Sequence, residues 1–261
     1  PLRNVKKALL ALKEEGRLHK VKMVTLTNCT FDGHVYDVRR VMEECLAIKP
    51  DLVFLWDEAW FGFARFSPFH RLRTSMHAAE SLAERLRAHL GTAGLGRVAV
   101  SQPVPTQVAL TEENPPTVFG FKLSSISSTL TGSTVAGPAG SPMQVSIDLG
   151  ATNPNAGETV SFTLDLPDGS SETLTLKATA STNPAADEFT IGADTIATAA
   201  NLQAKLSASL GKLARTSLSA ASALAAADNF FNTDAANPPL HVAGPPFDTA
   251  TGLTAGTTAN T

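Results

Sequence analysis

The chain has 261 residues, 43% of them hydrophobic and 17% charged, with a net charge of −3 at pH 7. That length suits one large domain or two small ones. No apolar run approaches the ~20 residues that a membrane-spanning helix needs, so neither a membrane span nor a membrane partner is expected.

The average hides a sharp internal shift. Residues 1–90 carry 15 Lys and Arg against 11 Asp and Glu, whereas residues 91–261 carry 6 against 13. Both Cys, both Trp, the single Tyr and five of the six His also lie before residue 91. The remainder is built mainly of Ala, Ser, Thr, Gly, Leu and Pro, which predicts a boundary near residues 86–96 and two unrelated origins. Cys29 and Cys45 show neither a CxxC spacing nor a Cys/His cluster, so reduced thiols are expected, with no metal site and no disulfide. Residues 1–15 are charged throughout, unlike a secretory leader. Starting at Pro1 and stopping at Thr261 in a Gly/Thr-rich run, the chain reads as a fragment at both ends.

Val5, Leu9 and Leu12 share one helical face, with lysines and glutamates on the others, and Gly16 ends the pattern. Val21–Leu26 is a short apolar run and a predicted buried strand. Asn28–Gly33 is a loop. Val38, Val41, Met42 and Cys45 define a second amphipathic helix that must end at Lys49-Pro50, because the residue before proline avoids helical geometry. Leu52–Trp56 is a second predicted buried strand. Strand, helix and strand make a βαβ unit of a parallel sheet, which almost always crosses over right-handed.

Ligands of open parallel sheets sit beyond the carboxyl ends of the strands. Asn28 and Thr30 follow one strand, and Asp57 and Glu58 follow the next, so both groups should reach one rim. Asp57 could equally cap whatever follows it. The apolar LVFLWDEAW also has the look of a nucleotide-binding acidic strand, but the chain has no GxxxxGK[ST] loop to accompany it.

TLTNCTFDGHVYDV, followed by LWDEAWFGFARFSPFH, resembles the cofactor domain of the Orn/Lys/Arg decarboxylases, pyridoxal-phosphate enzymes of the aspartate aminotransferase fold. The resemblance covers roughly residues 1–88. It implies that Asp57 is the partner of the protonated pyridine nitrogen, where a carboxylate lets the ring accept electrons from a carbanion. It further implies that Ala59 and Trp60 lie beside the ring, and that Asn28 and Thr30 border the cofactor. FSPFH, ending at His70, matches the segment after the strand, where His70 is expected to be structural. The family's Schiff-base lysine should follow in a Ser/Thr-His-Lys context. The only later lysines are Lys122, Lys177, Lys205 and Lys212, none in that context. No complete catalytic set is therefore expected, and pyridoxal phosphate is expected to belong to the parent family rather than to be bound here.

From Thr74 to Leu90 a helix is expected to present Ala79, Leu82, Ala83, Leu86 and Leu90 along its apolar face. Gly91–Arg97 reads as a linker or turn; GTAGLG is not a dinucleotide fingerprint. Val98–Leu110 alternates as one edge strand interrupted by Pro103 and Pro105, and Phe119, Phe121 and Leu123 keep a strand period. Val145–Leu149, Thr159–Leu166 and Glu172–Ala180 alternate cleanly, the last two joined by Pro167-Asp168-Gly169, a turn signal. Phe189–Ile191 is a short strand. Leu202, Leu206, Leu210 and Leu213 form a helical stripe, and Leu218–Phe231 a second, Ala-rich helix. His241, flanked by prolines, reads as a loop residue.

No nucleophile–base pair, metal cluster, phosphate loop or basic patch for nucleic acid occurs in this second part. VSIDLGATNPNAGETVSFTLDLPDGSSETLTLKAT, FTIGADTIATAANLQAKL and FFNTDAANPPLHVAGPPFDTATGL resemble the middle region of bacterial flagellins and flagellin-like hook-junction proteins. That resemblance implies an outward-facing filament domain without the terminal helices that polymerise.

The expected fold class is thus mixed: an N-terminal α/β βαβ fragment and a C-terminal α+β module of antiparallel strands and two helices. The expected divisions are 1–88, a linker and edge strand at 89–118, a flagellin-like domain at 119–235 and a Pro/Gly-rich tail at 236–261. The function expected is that of an inactive chimera of a decarboxylase fragment and a structural fragment. The alternatives are a decarboxylase completed by a partner chain, or a flagellar structural protein. Self-association through exposed N-terminal surfaces is expected, as are flagellin-like subunits as partners of the second part's parent. The origins would be cytoplasmic and extracellular respectively.

Overall fold

The computed structural model describes residues 2–30, 34–59, 61–62, 64, 67, 70, 73–231, 237–238 and 240–256. In chain order its elements are α1 (Leu2–Glu14), a 3₁₀ turn (Leu18–Lys20), β1 (Met23–Thr27), α2 (Val38–Ile48), β2 (Val53–Asp57), α3 (Ser75–Leu90), β3 (Val98–Ser101) and β4 (Gln107–Glu112). There follow β5 (Lys122–Ser128), β6 (Thr134–Ala139), β7 (Gln144–Asp148), β8 (Thr159–Asp165), β9 (Ser171–Thr179) and β10 (Glu188–Thr190). The last are α4 (Thr195–Leu213), a π turn (Ala214–Leu218), α5 (Ser219–Phe231), β11 (Leu240–Val242) and β12 (Leu253–Ala255). They fall into two compact units: Pro1–Ala88 with Ser219–Phe247 and Leu253–Thr261, and His89–Leu218 with Asp248–Gly252.

In the first unit α1 stops where expected. Gly16 takes φ 69, Arg17 N–H donates to Leu12 C=O and Gly16 N–H to Lys13 C=O. This is the Schellman closure that a left-handed glycine permits. Asp37 caps α2 by accepting from Arg40 N–H at 3.1 Å, and Lys49 leaves the helix in an extended conformation ahead of Pro50. β1 and β2 pair in parallel, with Met23 opposite Val53 and Thr27 opposite Asp57, so the βαβ unit forms as expected. Leu9, Val41, Cys45 and Leu52 are its buried centre, flanked by Val24, Leu26, Phe54 and Trp56 from the sheet. Helix α5 packs on α2, and β11 pairs antiparallel with β12.

Three expectations fail in this unit. The two strands are not buried. Their burial alternates, and Met23, Val53 and Leu55 are 51%, 57% and 51% exposed. Continuous apolar runs signal a parallel strand covered on both faces, but here only one face of a two-stranded sheet packs on the core. The buried face of α3 is also rotated from the expected one. Ala78, Arg85 and Ala88 are buried, while Ala79 and Leu86 are exposed. An apolar-stripe reading cannot anticipate a buried arginine, and Arg85 is buried because its guanidinium donates to Leu240 C=O at 3.1 Å. His241 lies in strand β11 rather than a loop.

The second unit holds two four-stranded sheets, ordered β3-β4-β7-β6 and β10-β9-β8-β5, antiparallel except for the β9–β10 pair. Val160, Phe162 and Leu164 of β8 alternate into the core, where they join Val108, Leu110, Phe121, Ile147, Leu176 and Phe189. Leu202, Leu206 and Leu210 of α4 complete it, and Asp194 caps that helix by accepting from Ala197 N–H at 2.8 Å. The β8–β9 turn closes with Gly169 at φ 81 and Ser170 N–H on the Asp168 carboxylate.

Here the departures concern punctuation. Val98–Leu110 is a hairpin of two strands rather than one interrupted strand, and β4 lies between β3 and β7 while the prolines occupy its turn. Phe119 and Phe121 precede β5 instead of starting it. The edge strand β6 was not expected at all; every residue of TVAGPA is exposed, and proline is tolerated only at such an edge. Of the two readings of Gly91–Arg97, linker or turn, the structure shows the turn, built as a tight corner. Arg97 is 4% exposed with φ 63, pairs with Glu113 at 2.5 Å, donates to Ala250 C=O at 2.7 Å and stands over the Phe119 ring. A methyl group on Gly96 would meet the Phe121 ring at 2.5 Å.

Candidate functional site

The parallel register sends both strand ends to one rim of the first unit. Asn28 N–H donates to Asp57 C=O at 2.8 Å, extending the ladder by one residue. From that point two carboxylates and one amide diverge in role.

Asn28 is fully buried. Its Oδ1 accepts from Tyr36 N–H at 3.0 Å, and its Nδ2 donates to Glu58 Oε1 at 2.8 Å and Arg73 C=O at 3.1 Å. Both amide hydrogens are therefore committed. Glu58 also accepts from Ser75 N–H at 2.9 Å and Ser75 Oγ at 2.8 Å. It thus satisfies a donor of the first turn of α3 and places negative charge at that helix's positive end. Asn28 and Glu58 form a brace linking β1, β2, the approach to α2 and the start of α3.

Asp57 is exposed. One oxygen accepts from Ala59 N–H at 3.1 Å, the local capping role that its position also allowed. Ala59 is exposed beside it. Thr30 closes its own loop, donating N–H to His34 C=O at 3.0 Å and accepting His34 N–H at 3.2 Å. Trp60 lies outside the described residues. His70 stands in the turns before α3; its N–H donates to Ser67 Oγ at 3.3 Å and its ring meets Phe61 edge-on.

A pyridoxal phosphate site needs a carboxylate for the ring nitrogen, an amine for the aldehyde and donors for the phosphate. Asp57 fits the first requirement. The lysines nearest the sheet in sequence, Lys20, Lys22 and Lys49, lie at its amino end, and Lys49 is bound to Asp51. At about 3.3 Å per residue, a five-residue strand puts roughly 15 Å between that end and the rim. The Asn28 donors are already used. At the rim, then, Asp57 offers a carboxylate, and the lysines nearest the two strands in sequence stand at the opposite end of the sheet.

A second polar cluster was not legible in the sequence. Glu43 is buried and accepts from Arg39 Nε at 2.9 Å; burial pushes its carboxyl up, against the pull of Arg39. Burial, then the nearby Arg39, lowers Arg85 to about 10. His241 is pushed down by burial and by Arg39, Arg85 and His77, and its Nε2 is buried without a hydrogen-bond partner. Only the i, i+4 spacing of Arg39 and Glu43 hinted at any of this. Among the described residues no group of three His, Cys, Asp or Glu could hold a metal.

Comparison with known proteins bears on the first part of the chain. A family model, Orn/Lys/Arg decarboxylase, major domain, matches residues 3–90, about a third of the 261 residues. No curated protein and no solved structure matches the chain.

Proposed function

We propose that the first 88 residues derive from the cofactor domain of a pyridoxal-phosphate-dependent amino-acid decarboxylase and carry no complete active site. They are joined to a structural module of flagellin-like character, and the chain has no decarboxylase activity of its own. One observation carries this reading: an exposed carboxylate, Asp57, ends the second strand of a parallel βαβ unit inside the matched segment, yet no lysine lies near it in sequence at that rim. Without an amine there the cofactor's aldehyde has no anchor. The structural half of the proposal rests on the outer face of β8 and β9. Ser161 bonds Thr175 at 2.8 Å and Thr163 bonds Thr173 at 3.4 Å, a largely hydroxyl-clad surface. On this reading the parts originate in a cytoplasmic enzyme and an extracellular filament protein.

The test is to add pyridoxal phosphate, look for the visible absorption of an imine, and reduce with borohydride before peptide mapping. The expected outcome is no modified lysine and no carbon dioxide released from ornithine, lysine or arginine. A single reduced lysine would overturn it. Negative-stain microscopy should show no filaments. Long-read sequencing of the flanking DNA tests the junction, because one continuous frame from a decarboxylase start to a filament-protein end would make the fusion real.

A second reading is favoured by the bare sheet face. Met23, Val53 and Leu55 form an apolar surface on which another chain could pack, and a partner could then supply the missing lysine to Asp57. Decarboxylation that appears only as the chain self-associates, followed by light scattering over a concentration series, would select this reading over the inactive one.

A further inference from the structure

A cleft of about 910 Å³ opens between α1 and the segment leading into α2. Its volume falls in the range of about 300–1,000 Å³ usual for small-molecule sites. Leu2, Leu10, Val35, Tyr36 and Val41 contribute apolar lining, and Leu10 is unusually exposed for a leucine of an amphipathic helix.

The charges around this lining are unevenly committed. Glu44 pairs with both Lys6 and Arg40, and Asp37 is engaged in capping α2. Arg3 and Lys7 line the same cleft, are exposed, and form no ion pair among the described residues. They stand four residues apart, one helical turn, so their side chains rise from the same side of α1. Glu14 lies at the opposite end of the helix, about 16 Å from Arg3 at 1.5 Å per residue. The cleft therefore has an open cationic end, an apolar middle and a distant acidic end.

We propose that this cleft binds an anionic amphiphile, a medium-length alkyl chain ending in a carboxylate. The head group would lie between Arg3 and Lys7 and the chain along Leu10, Tyr36 and Val41. A neutral chain would lose the ionic half of the interaction. A hydrophilic anion would leave the apolar lining wet. A cationic amphiphile would meet Arg3 and Lys7 with like charge. The reading is independent of whether the Asp57 rim ever held a cofactor: Arg3, Lys7, Leu10 and Val41 lie outside that rim, and Tyr36 joins it only through its N–H on Asn28.

The structure supplies its own reporter. The Trp56 ring meets Tyr36 edge-on with centroids 6.0 Å apart, so a ligand against Tyr36 alters the surroundings of the indole. The experiment titrates the full chain with dodecanoate, below its micelle concentration, and follows tryptophan emission, with dodecanol and acetate as controls. Dodecanoate should saturate the signal, dodecanol should bind about tenfold more weakly, and acetate should not bind. Raising salt should weaken dodecanoate alone. The double variant Arg3→Gln/Lys7→Gln alters two exposed side chains that form no ion pair among the described residues, so it should keep the native circular dichroism and bring dodecanoate down to the affinity of dodecanol. Ala11→Trp, read by calorimetry, should block both ligands by filling the cleft. Equal binding of dodecanol and dodecanoate, or affinity unchanged in the double variant, would overturn the proposal. So would binding only above the micelle concentration, or an acidic amphipathic peptide that saturates the cleft when dodecanoate does not.

Discussion

The two units distribute packing and chemistry in opposite ways. In the second, alternating strands and one leucine-striped helix enclose a continuous core of large apolar side chains, with paired hydroxyls on the outer face and the buried Arg97 set at a corner. In the first, the core cluster under the sheet centres on four buried residues, Leu9, Val41, Cys45 and Leu52, and three apolar strand residues face outwards. Its polar groups are drawn inward to hold the elements together: Asn28 with Glu58, Glu43 with Arg39, Arg85 with a strand carbonyl. The contrast teaches that chemically able residues do not by themselves mark a site. Asn28 and Glu58 are the most convergent polar groups at the rim, and both are used up in construction. The carboxylate still open to solvent there is Asp57.

Substitutions can test this contrast, beginning with the strongest. Phe162→Ala empties the middle of the large core and should cost about 3–5 kcal/mol in chemical denaturation. Leu9→Ala, the matching change in the small core, should fall at the low end of the about 2–5 kcal/mol range for such truncations, because open surroundings relax more readily. Equal costs would break the comparison. Asn28→Ala leaves the Tyr36 N–H without its partner and takes one of two donors from Glu58 Oε1, and should cost about 2 kcal/mol. Alkylation of Cys45 is the local measurement for that variant. Burial, then the neighbouring Glu44, pushes this thiol up to about 11, so it reacts only when the first unit opens. Because the folded value lies above the unfolded one, stability linked to Cys45 is present below about pH 9 and is lost as pH rises towards about 11.

Asp57→Asn should shift stability by less than about 0.5 kcal/mol, as the amide oxygen can still accept from Ala59 N–H. A larger loss would show that Asp57, too, is a structural member. The smallest effect is expected from Glu158, whose carboxylate is held down to about 2 by Asn155 and Thr131. The sign is that of a depressed acid: its contribution is present above the unfolded value near 4.5 and disappears as pH falls towards 2. Glu158→Gln should flatten the acid limb of the second unit's denaturation curve over that window only.

How much of this was readable in advance follows from the range of the forces involved. β8, β9 and α4 were legible because one local period and one turn, Pro167-Asp168-Gly169, decide them. The βαβ unit and its rim were legible for the same reason. Burial of β1 and β2 was misjudged because a hydrophobic run records what a strand can cover, not whether a second layer is there. The Asn28–Glu58 brace joins residues 30 positions apart and Arg85 meets a carbonyl 155 positions away. No periodicity encodes such pairs. β6 was missed because an exposed edge needs no apolar alternation, and Gly91–Arg97 stayed open between linker and turn because three glycines look the same in both.

That corner bears on how the protein is made. Arg97 needs the carbonyl of Ala250, which lies 153 residues further along the chain. On the ribosome every strand and helix of the second unit up to Leu218 is synthesised before that acceptor exists. At about 5–20 residues per second the guanidinium waits for about 8–30 seconds. A stop codon placed after Leu218 and before Ala250 would keep every strand and helix of that unit in the chain and remove one acceptor of its buried arginine, leaving it Glu113.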